Sequence, residues 1–271
     1  MPNPHLSAAF AAAYERAASR ITAPVSVTAL GRAAPVVRGT RLLDIGARTG
    51  ALSIPAAHAG ATVTAIDIVP GMVELLADRL RPFPNARAQV MDGQALDFPD
   101  ASFDAAVSVF GVSLFADWRR ALAEQVRVLR PGGKAVLATW RTPPGGGPFV
   151  ILAEALAATF PDRSPPATPP GFLALAEPAA LAAAFAELGL THVEVEEIGA
   201  VWEGPTGPAY LEELHDFHAF VGPYALLDDR GKAALDQAIL AAVDRRATGD
   251  RIVLETTVTL AWGTRTDRVG G

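Results

Sequence analysis

A short glycine-containing segment, LLDIGARTG at residues 42–50, has the residue types that bind a nucleoside through backbone and carboxylate groups. Its apolar run ends in Asp44, and Gly46 and Gly50 then allow a tight turn in which the backbone approaches a ligand closely. A second apolar run ends in Asp67, about twenty residues after the turn, where an acid can accept hydrogen bonds from ribose hydroxyl groups. Two glycines also suit any tight turn between a strand and a helix, so this motif alone leaves both interpretations open.

The rest of the chain predicts the elements that position these residues. Short apolar runs rich in β-branched residues alternate with helical stretches, which is typical of a parallel sheet covered by helices. The predicted strands are 41–45, 62–67, 86–91, 103–109, 134–140, 192–202 and 252–262. Four helices are expected, over 118–129, 177–190, 207–221 and 230–246. Residues 130–133 (RPGG) are predicted to end the first of them.

Five segments, in order, resemble the motifs of the class I S-adenosylmethionine (SAM) dependent methyltransferases, and the similarity runs from about residue 40 to 140. LLDIGARTG stands where that family has its Asp-x-Gly-x-Gly-x-Gly loop. VTAIDIVPGMVELLADR resembles the second motif and MDGQALDFPDASFDAAVSVFG the third and fourth. WRRALAEQVRVLRPGGKAVLATW resembles the helix, Pro-Gly-Gly turn and fifth strand. The resemblance is to the small-molecule branch that includes the ubiquinone and menaquinone biosynthesis methyltransferases.

This resemblance implies an α/β fold, a Rossmann-like sheet of seven strands whose last strand is antiparallel, with helical lid insertions. The whole chain, 1–271, is expected to form a single methyltransferase domain. Because both insertions leave the carboxyl side of the strands, where open α/β sheets bind ligands, we expect them to form a lid over the methyl acceptor. The predicted core comprises about 35–141, 177–203 and 251–266, and the lid insertions about 142–176 and 204–250.

The resemblance also implies SAM as the cofactor and assigns residues to its parts. Asp67 would accept hydrogen bonds from the ribose hydroxyls, although an acid at this position can instead cap the next helix. Ile68 would pack on the adenine, and Asp92 with Gly93 would reach the adenine edge. Asp44 would lie near the methionine tail, or would fix the loop by accepting backbone N–H groups, and the two roles are compatible. The other residues expected near the tail are Gly46, Ala47, Arg48, Thr49, Gly50 and Val109.

Two residues depart from the family pattern. Arg48 replaces the middle glycine of the loop, and Val109 stands where the fourth motif often has a serine. The cation of Arg48 could repel the sulfonium, pair with the carboxylate of the methionine tail, or point away. A buried arginine without a partner would be costly, which favours the pairing with the carboxylate. A side chain at this position also needs a backbone conformation that glycine adopts more easily.

Methyl transfer needs neither a catalytic triad nor a metal, so the catalytic residues stay unassigned and no metal site is predicted. Phe110 and Trp140 are the expected acceptor-binding aromatic residues, and His218 is a candidate in the lid for holding the acceptor or its proton. For each aromatic residue a plain core position is the favoured alternative, and for His218 it is a structural or solvated histidine. Other aromatic candidates are Trp202, Phe217 and Tyr224.

Composition limits the function classes. The chain has 271 residues, 50% of them hydrophobic, enough to fill a sizeable core. A net charge of −6 argues against a nucleic-acid partner, which requires a basic surface. There is no cysteine, and so neither disulfides nor thiolate chemistry. No stretch is long and apolar enough to suggest a membrane span, and the protein is expected to be cytoplasmic.

The sequence therefore predicts SAM-dependent methyl transfer to a small, apolar metabolite. One alternative is a methyltransferase-fold protein that binds SAM or a metabolite without transferring a methyl group. A second alternative is a nicotinamide-dependent oxidoreductase, which is disfavoured because the loop lacks the Gly-x-Gly-x-x-Gly pattern. The acceptor, the atom methylated and the oligomeric state are not assigned from the sequence.

Overall fold

The computed structural model describes residues 8–33, 35–164, 167–220, 224 and 226–266. Its strands are β1 (Arg41–Ile45), β2 (Thr62–Asp67), β3 (Ala86–Val90), β4 (Phe103–Val109), β5 (Leu129–Trp140), β6 (Leu190–Pro205), β7 (Ala247–Thr248) and β8 (Arg251–Arg265). They form one sheet in the order β3-β2-β1-β4-β5-β8-β6, and the two-residue β7 pairs with β8. The seven predicted strands are all present, and β7 is an addition.

The sheet is mixed in the way the sequence predicts. Strands β1 to β5 are parallel to one another, whereas β8 runs antiparallel to both β5 and β6. The last long strand thus lies inside the sheet, and in the described part of the chain β3 and β6 form its two edges. The predicted fold class, with its antiparallel last strand, is confirmed.

The strand order reverses at β1, which lies between β2 and β4. Asp44, near the end of β1, is in register with Ala65 of β2 and Val107 of β4. In open α/β sheets, the carboxyl ends of the strands on either side of such a reversal border the crevice that binds ligands. The loop after β1 and the ends of β2 and β4 therefore meet at one place.

The helices surround this sheet. They are α1 (Ala8–Arg32), α2 (Ser53–His58), α3 (Pro70–Leu80), α4 (Trp118–Arg127), α5 (Pro148–Thr159), α6 (Pro170–Ala174), α7 (Pro178–Glu187), α8 (Gly207–Phe220) and α9 (Asp229–Asp244). Residue 221, the predicted end of α8, lies outside the described residues. Within those residues, no helix combines the length and the apolar character needed to cross a membrane.

The prediction that residues 130–133 stop a helix is wrong. The helix α4 already ends at Arg127, and residues 130–133 belong to β5. Leu129 pairs with Phe103 of β4, so the chain is extended at that point, and the pairing register then shifts before Lys134. Sheet pairing, rather than the turn residues, ends the helix.

Helix α1 is a major element that the sequence did not predict. It contacts α3, α8 and the strands β4, β5 and β6, so it covers one face of the sheet near the crevice. Small side chains dominate its buried face, and an alanine-rich stripe contrasts little with the rest of the helix. The buried residues are Ala11, Ala13, Tyr14, Ala17, Ala18, Ile21, Thr22, Val25, Ser26 and Ala29.

The two predicted insertions pack against each other and against α1. The first contains α5 and α6, and the second contains α8 and α9. Helix α5 contacts α9, whereas α8 contacts both α9 and α1. The first insertion follows the carboxyl end of β5, and the second follows the carboxyl end of β6. Both strands end on the side of the sheet where the crevice lies. The predicted lid role of the insertions stays a prediction.

Trp202 connects the edge strand to α1. Its side chain is fully buried, and its Nε1 atom donates to the backbone oxygen of Ala17 at 2.7 Å. We expect Trp202→Phe to lower the free energy of unfolding by about 2–3 kcal/mol, because it removes this hydrogen bond and leaves a void. Trp262→Phe is the matched control and should cost less than about 1 kcal/mol, since Trp262 is partly exposed. Equal losses in urea denaturation followed by circular dichroism would contradict the role assigned to Trp202.

Candidate functional site

The loop after β1 is held close to neighbouring backbone, and two of its glycines are required for this. The N–H of Gly46 donates to the oxygen of Ile66 at 2.9 Å, which ties the loop to β2. A Cβ added at Gly46 would lie 3.1 Å from the Cα of Gly111. At Gly50 an added Cβ would lie 2.3 Å from Leu76 Cδ1, and the φ of Gly50 is +97°. Side chains at these two positions would push the loop out of place.

Asp44 is buried beneath this loop. The hydroxyl of Ser53 donates to its Oδ2 at 2.6 Å. Burial raises the pKa of Asp44 from 3.8 to about 7, whereas the Ser53 hydrogen bond and the charge of Arg48 act in the opposite direction. The site thus contains a carboxyl group that exchanges its proton near neutral pH. A cation bound beside it would favour the ionised form.

Asp67 joins the end of β2 to the same loop. Its Oδ2 accepts from the N–H of Arg48 and its Oδ1 from the N–H of Val69, both at 2.9 Å. Each carboxylate oxygen can accept a second hydrogen bond, so the groups predicted to bind ribose still have acceptor capacity. Ile68, the predicted adenine contact, is 56% exposed beside it. Asp67 therefore organises the loop, and ribose binding stays a prediction.

Asp92 and Gly93 form the next part of the crevice, after β3. Asp92 Oδ1 accepts from both the backbone N–H and the Nε2 of Gln94, at 2.9 and 3.0 Å. A Cβ added at Gly93 would lie 2.6 Å from the Phe115 ring and 2.9 Å from Ile45. Glycine is therefore needed at this position for close packing. The adenine contacts predicted for this pair stay predictions.

Arg48 extends across the crevice from the loop to the end of β4. Its Nη1 donates to the oxygen of Val109 at 2.8 Å and its Nη2 to the oxygen of Phe110 at 2.6 Å. The guanidinium carbon lies 5.6 Å from the centre of the Tyr14 ring, within the range of a cation–π contact. The φ of Arg48 is +49°, in the left-handed region that its glycine counterpart adopts at lower cost.

These contacts bear on the predicted pairing of Arg48 with the carboxylate of the methionine tail. Pairing with a ligand carboxylate was favoured because an arginine without a partner would be costly to bury. In the structure, two backbone oxygens already accept from the guanidinium. No carboxylate of the described residues lies within 4.0 Å of its nitrogen atoms. The guanidinium therefore has acceptors without a ligand, so the cost of burying it does not by itself require pairing with a carboxylate.

Two cavities meet at Arg48. The smaller measures about 20 Å³ and is lined by polar and small residues, namely Tyr14, Thr22, Ser26, Asp44, Gly46, Ala47, Arg48, Thr49, Ala51, Leu52 and Val109. The larger measures about 320 Å³ and is mainly apolar, lined by Phe10, Tyr14, Ala18, Ile21, Thr22, Arg48, Asp67, Val69, Met72, Phe110, Leu114, Trp140, Pro144, Gly146, Pro148, Phe149 and Phe172. The side chain of Arg48 borders both.

The larger cavity includes two of the predicted acceptor-binding residues. The rings of Phe110 and Trp140 stack, with centroids 3.7 Å apart and planes at 2°. Helix α1 contributes Tyr14 and Ile21, which the sequence analysis missed although their seven-residue spacing places them on one helix face. Other residues missed there are Phe149 of α5 and Phe172 of α6.

His218 and three aromatic candidates lie elsewhere. Trp202, Phe217, His218 and Tyr224 are buried, and none of them lines the larger cavity. Neither ring nitrogen of His218 has a hydrogen-bond partner in the described structure, and burial lowers its pKa to about 4. Its helix face turns into the core beside Tyr210 and Tyr224 instead of towards the cavity. The structure thus gives no support for acceptor binding by His218.

Comparison with known proteins agrees with this geometry. Residues 43–137 match a family model described as a methyltransferase domain. A demethylmenaquinone methyltransferase of Tropheryma whipplei is 39% identical over 108 residues, which cover 40% of this chain and 45% of that protein. The chain thus spans about half the length of the curated relatives it matches.

Solved structures extend the similarity to most of the chain. A putative methyltransferase from an antibiotic biosynthesis pathway of Anabaena variabilis has a TM-score of 0.59 at 19% identity, over 91% of this chain and 99% of that one. A Haemonchus contortus phosphoethanolamine methyltransferase, solved with S-adenosylhomocysteine, has a TM-score of 0.55 at 19% identity, over 90% of this chain and 53% of that one. At 19% sequence identity, these similarities show a shared fold and nothing more specific.

The mixed sheet and its crevice form a fold that is similar to those of solved methyltransferase structures. Residues 43–137 match the methyltransferase-domain family model, and part of the chain is similar to the demethylmenaquinone methyltransferases. The resemblance found in the sequence motifs is therefore confirmed.

The raised pKa of Asp44 predicts how stability depends on pH. Folding raises this pKa from 3.8 to about 7, so the folded state retains a proton that the unfolded chain releases. This group therefore lowers stability progressively between about pH 4 and pH 7, and fully above pH 7. Asp44→Asn should raise the melting temperature by several degrees at pH 8 and change it little at pH 4. The control is Asp78→Asn, which removes an exposed carboxylate outside the site and should change the melting temperature little at either pH. Greater destabilisation of Asp44→Asn at pH 8 would show that the ionised form is favoured.

Proposed function

We propose that this protein transfers the methyl group of SAM to a small, mainly apolar metabolite. The observation that carries the proposal is the position of Asp67. It lies at the end of β2, beside the glycine loop, and it also lines the 320 Å³ aromatic cavity. A nucleoside bound at Asp67 would therefore have its substituent directed towards a space suited to an apolar acceptor.

The residues of the crevice fit the adenosyl half of SAM. Asp67 has acceptor capacity for two ribose hydroxyls, and the exposed Ile68 offers an apolar surface to the adenine. The cation-binding groups near the loop, Asp44 and the oxygen of Val109, suit the ammonium of a methionine tail. The proposed cofactor contacts are Asp44, Gly46, Ala47, Arg48, Thr49, Gly50, Asp67, Ile68, Asp92, Gly93 and Val109.

The aromatic cavity supplies what methyl transfer requires from the protein. SAM would contribute a methyl group attached to a positively charged sulfur. The stacked Phe110 and Trp140 offer a flat apolar wall that positions an acceptor and excludes water. In the described lining, the side chains that can take part in proton transfer are those of Tyr14 and Asp67. His218 is not part of the proposal, because it lies outside this lining.

The identity of the methyl acceptor does not follow from the relatives. The family model matches residues 43–137, whereas α1, α5 and α6, which line the cavity, lie outside that range. We propose an acceptor with a flat or apolar portion, for which a demethylated quinone is the first compound to test because related proteins are named for that substrate. A cytoplasmic location is proposed with it, because the proposed cofactor is an intracellular metabolite.

The first test is cofactor binding followed by transfer. SAM and S-adenosylhomocysteine should each raise the melting temperature, whereas NAD should leave it unchanged. Methyl-labelled SAM should then label one or more members of a panel of quinones, phenols and fatty acids. Folded protein without a thermal shift at saturating SAM would exclude SAM-dependent transfer. Binding without transfer to any acceptor class would favour a methyltransferase-fold binding protein.

The second test concerns the ribose. Asp67→Ala should weaken S-adenosylhomocysteine binding by about 2–4 kcal/mol, because it removes charge-assisted hydrogen bonds. Since Asp67 also holds the N–H groups of Arg48 and Val69, the fold of each variant should be checked by circular dichroism. Asp78→Ala, on the exposed face of α3, is the matched control. An affinity of Asp67→Ala within about twofold of wild type would assign the ribose to another residue.

A further inference from the structure

The guanidinium of Arg48 lies at the place where the ammonium group of the methionine tail is expected. We propose that Arg48 occupies the subsite for the methionine tail and thereby determines how the site discriminates between adenosyl ligands with and without that tail. This inference rests on the proposed function, because it requires an adenosyl ligand in the crevice.

The chemistry of the subsite selects a cation. The acceptors at this subsite include the oxygens of Val109 and Phe110, which contact Arg48, and the carboxyl of Asp44, which lines the same cavity. The guanidinium of Arg48 uses the first two. An α-ammonium group also carries several N–H donors and a positive charge. The two cations therefore compete for the same acceptors, and they would repel each other if both were present.

The available space leads to the same inference. The cavity bordered by Asp44, Thr49 and Val109 measures about 20 Å³, which holds about one water molecule. A methionine tail, with an ammonium, a carboxylate and three carbon atoms before the sulfur, needs several times that volume. With Arg48 in its observed position, this cavity therefore has no room for the tail. The guanidinium must leave the two backbone oxygens before the tail can enter.

The surroundings of Arg48 allow this displacement. In the structure as described, the guanidinium is held by two uncharged backbone oxygens and the ring of Tyr14, with no carboxylate in salt-bridge range. The 320 Å³ cavity on its other side offers space for the displaced side chain. A ligand that binds only the displaced form has its apparent affinity reduced by the fraction of molecules in that form. A ligand without the tail escapes this reduction.

Two ligands and two variants test the inference. S-adenosylhomocysteine has the tail, and 5′-methylthioadenosine lacks its amino and carboxyl groups. Arg48→Ala keeps a side chain at the positive φ and so isolates the loss of the guanidinium. We expect it to tighten S-adenosylhomocysteine binding by about tenfold or more, and 5′-methylthioadenosine binding by less than about threefold, in titration calorimetry.

Arg79 provides the matched control. Its Nη1 donates to the oxygen of Thr49 at 2.7 Å and forms an ion pair with Glu15, so it supports the same loop without entering the subsite. Arg79→Ala should leave the ratio of the two affinities unchanged. A second readout needs no adenosyl ligand: methylguanidinium should raise the melting temperature of Arg48→Ala, relative to its effect on wild type, by filling the vacated position.

The possible outcomes are distinct. Weaker S-adenosylhomocysteine binding by Arg48→Ala, with 5′-methylthioadenosine unaffected, would overturn the inference and show that Arg48 pairs with the carboxylate of the tail. Equal changes for both ligands would also overturn it and would assign the effect to loop conformation. If folded wild type and variants bind neither ligand, the proposed function fails. The response to methylguanidinium would still report whether Arg48 fills a cation subsite.

Discussion

The candidate site depends on the hydrogen bonds that join the loop after β1 to the end of β2. Asp67 accepts from the backbone of Arg48, while Gly46 donates to Ile66, so the two strand ends hold each other in place. The parallel sheet makes this possible because it brings the carboxyl ends of successive strands to one edge. The reversal of strand order at β1 then leaves the crevice open beside them. The position of each candidate ligand-binding group follows from this arrangement.

The sequence predicted the elements that local pattern determines. The strands β1, β2 and β4 are short, mainly apolar and β-rich runs bounded by turn residues, and their predicted limits agree with the structure. Asp44, Asp67 and the glycines were found because strand ends and tight turns have recognisable residue types. The convergence of these residues also followed from the sequence, since parallel strands end at a common edge.

Features that depend on distant contacts were missed. The buried face of α1 consists mostly of small residues, so its helical pattern is weak, and its role in the cavity arises only from packing across the sheet. The conformation of Arg48 is set by backbone oxygens some sixty residues away, which no local motif indicates. His218 was considered because of its chemistry, but the orientation of α8 turns its ring into the core. Residue type indicates which reactions are possible, whereas tertiary packing decides where the side chain points.

The edge strand β6 has a consequence for contacts between molecules. It is 16 residues long, and one side of it has no neighbouring strand in the described part of the sheet. Such an edge is a template on which a second copy can add a strand, which leads to aggregation. Four glutamates, Glu194, Glu196, Glu197 and Glu203, lie along β6. Three of them form ion pairs with Arg32, Arg141 and Arg251 of the same chain. A strand added at this edge would have to accommodate these charged pairs, so the charged residues along β6 protect the longest exposed edge of the sheet.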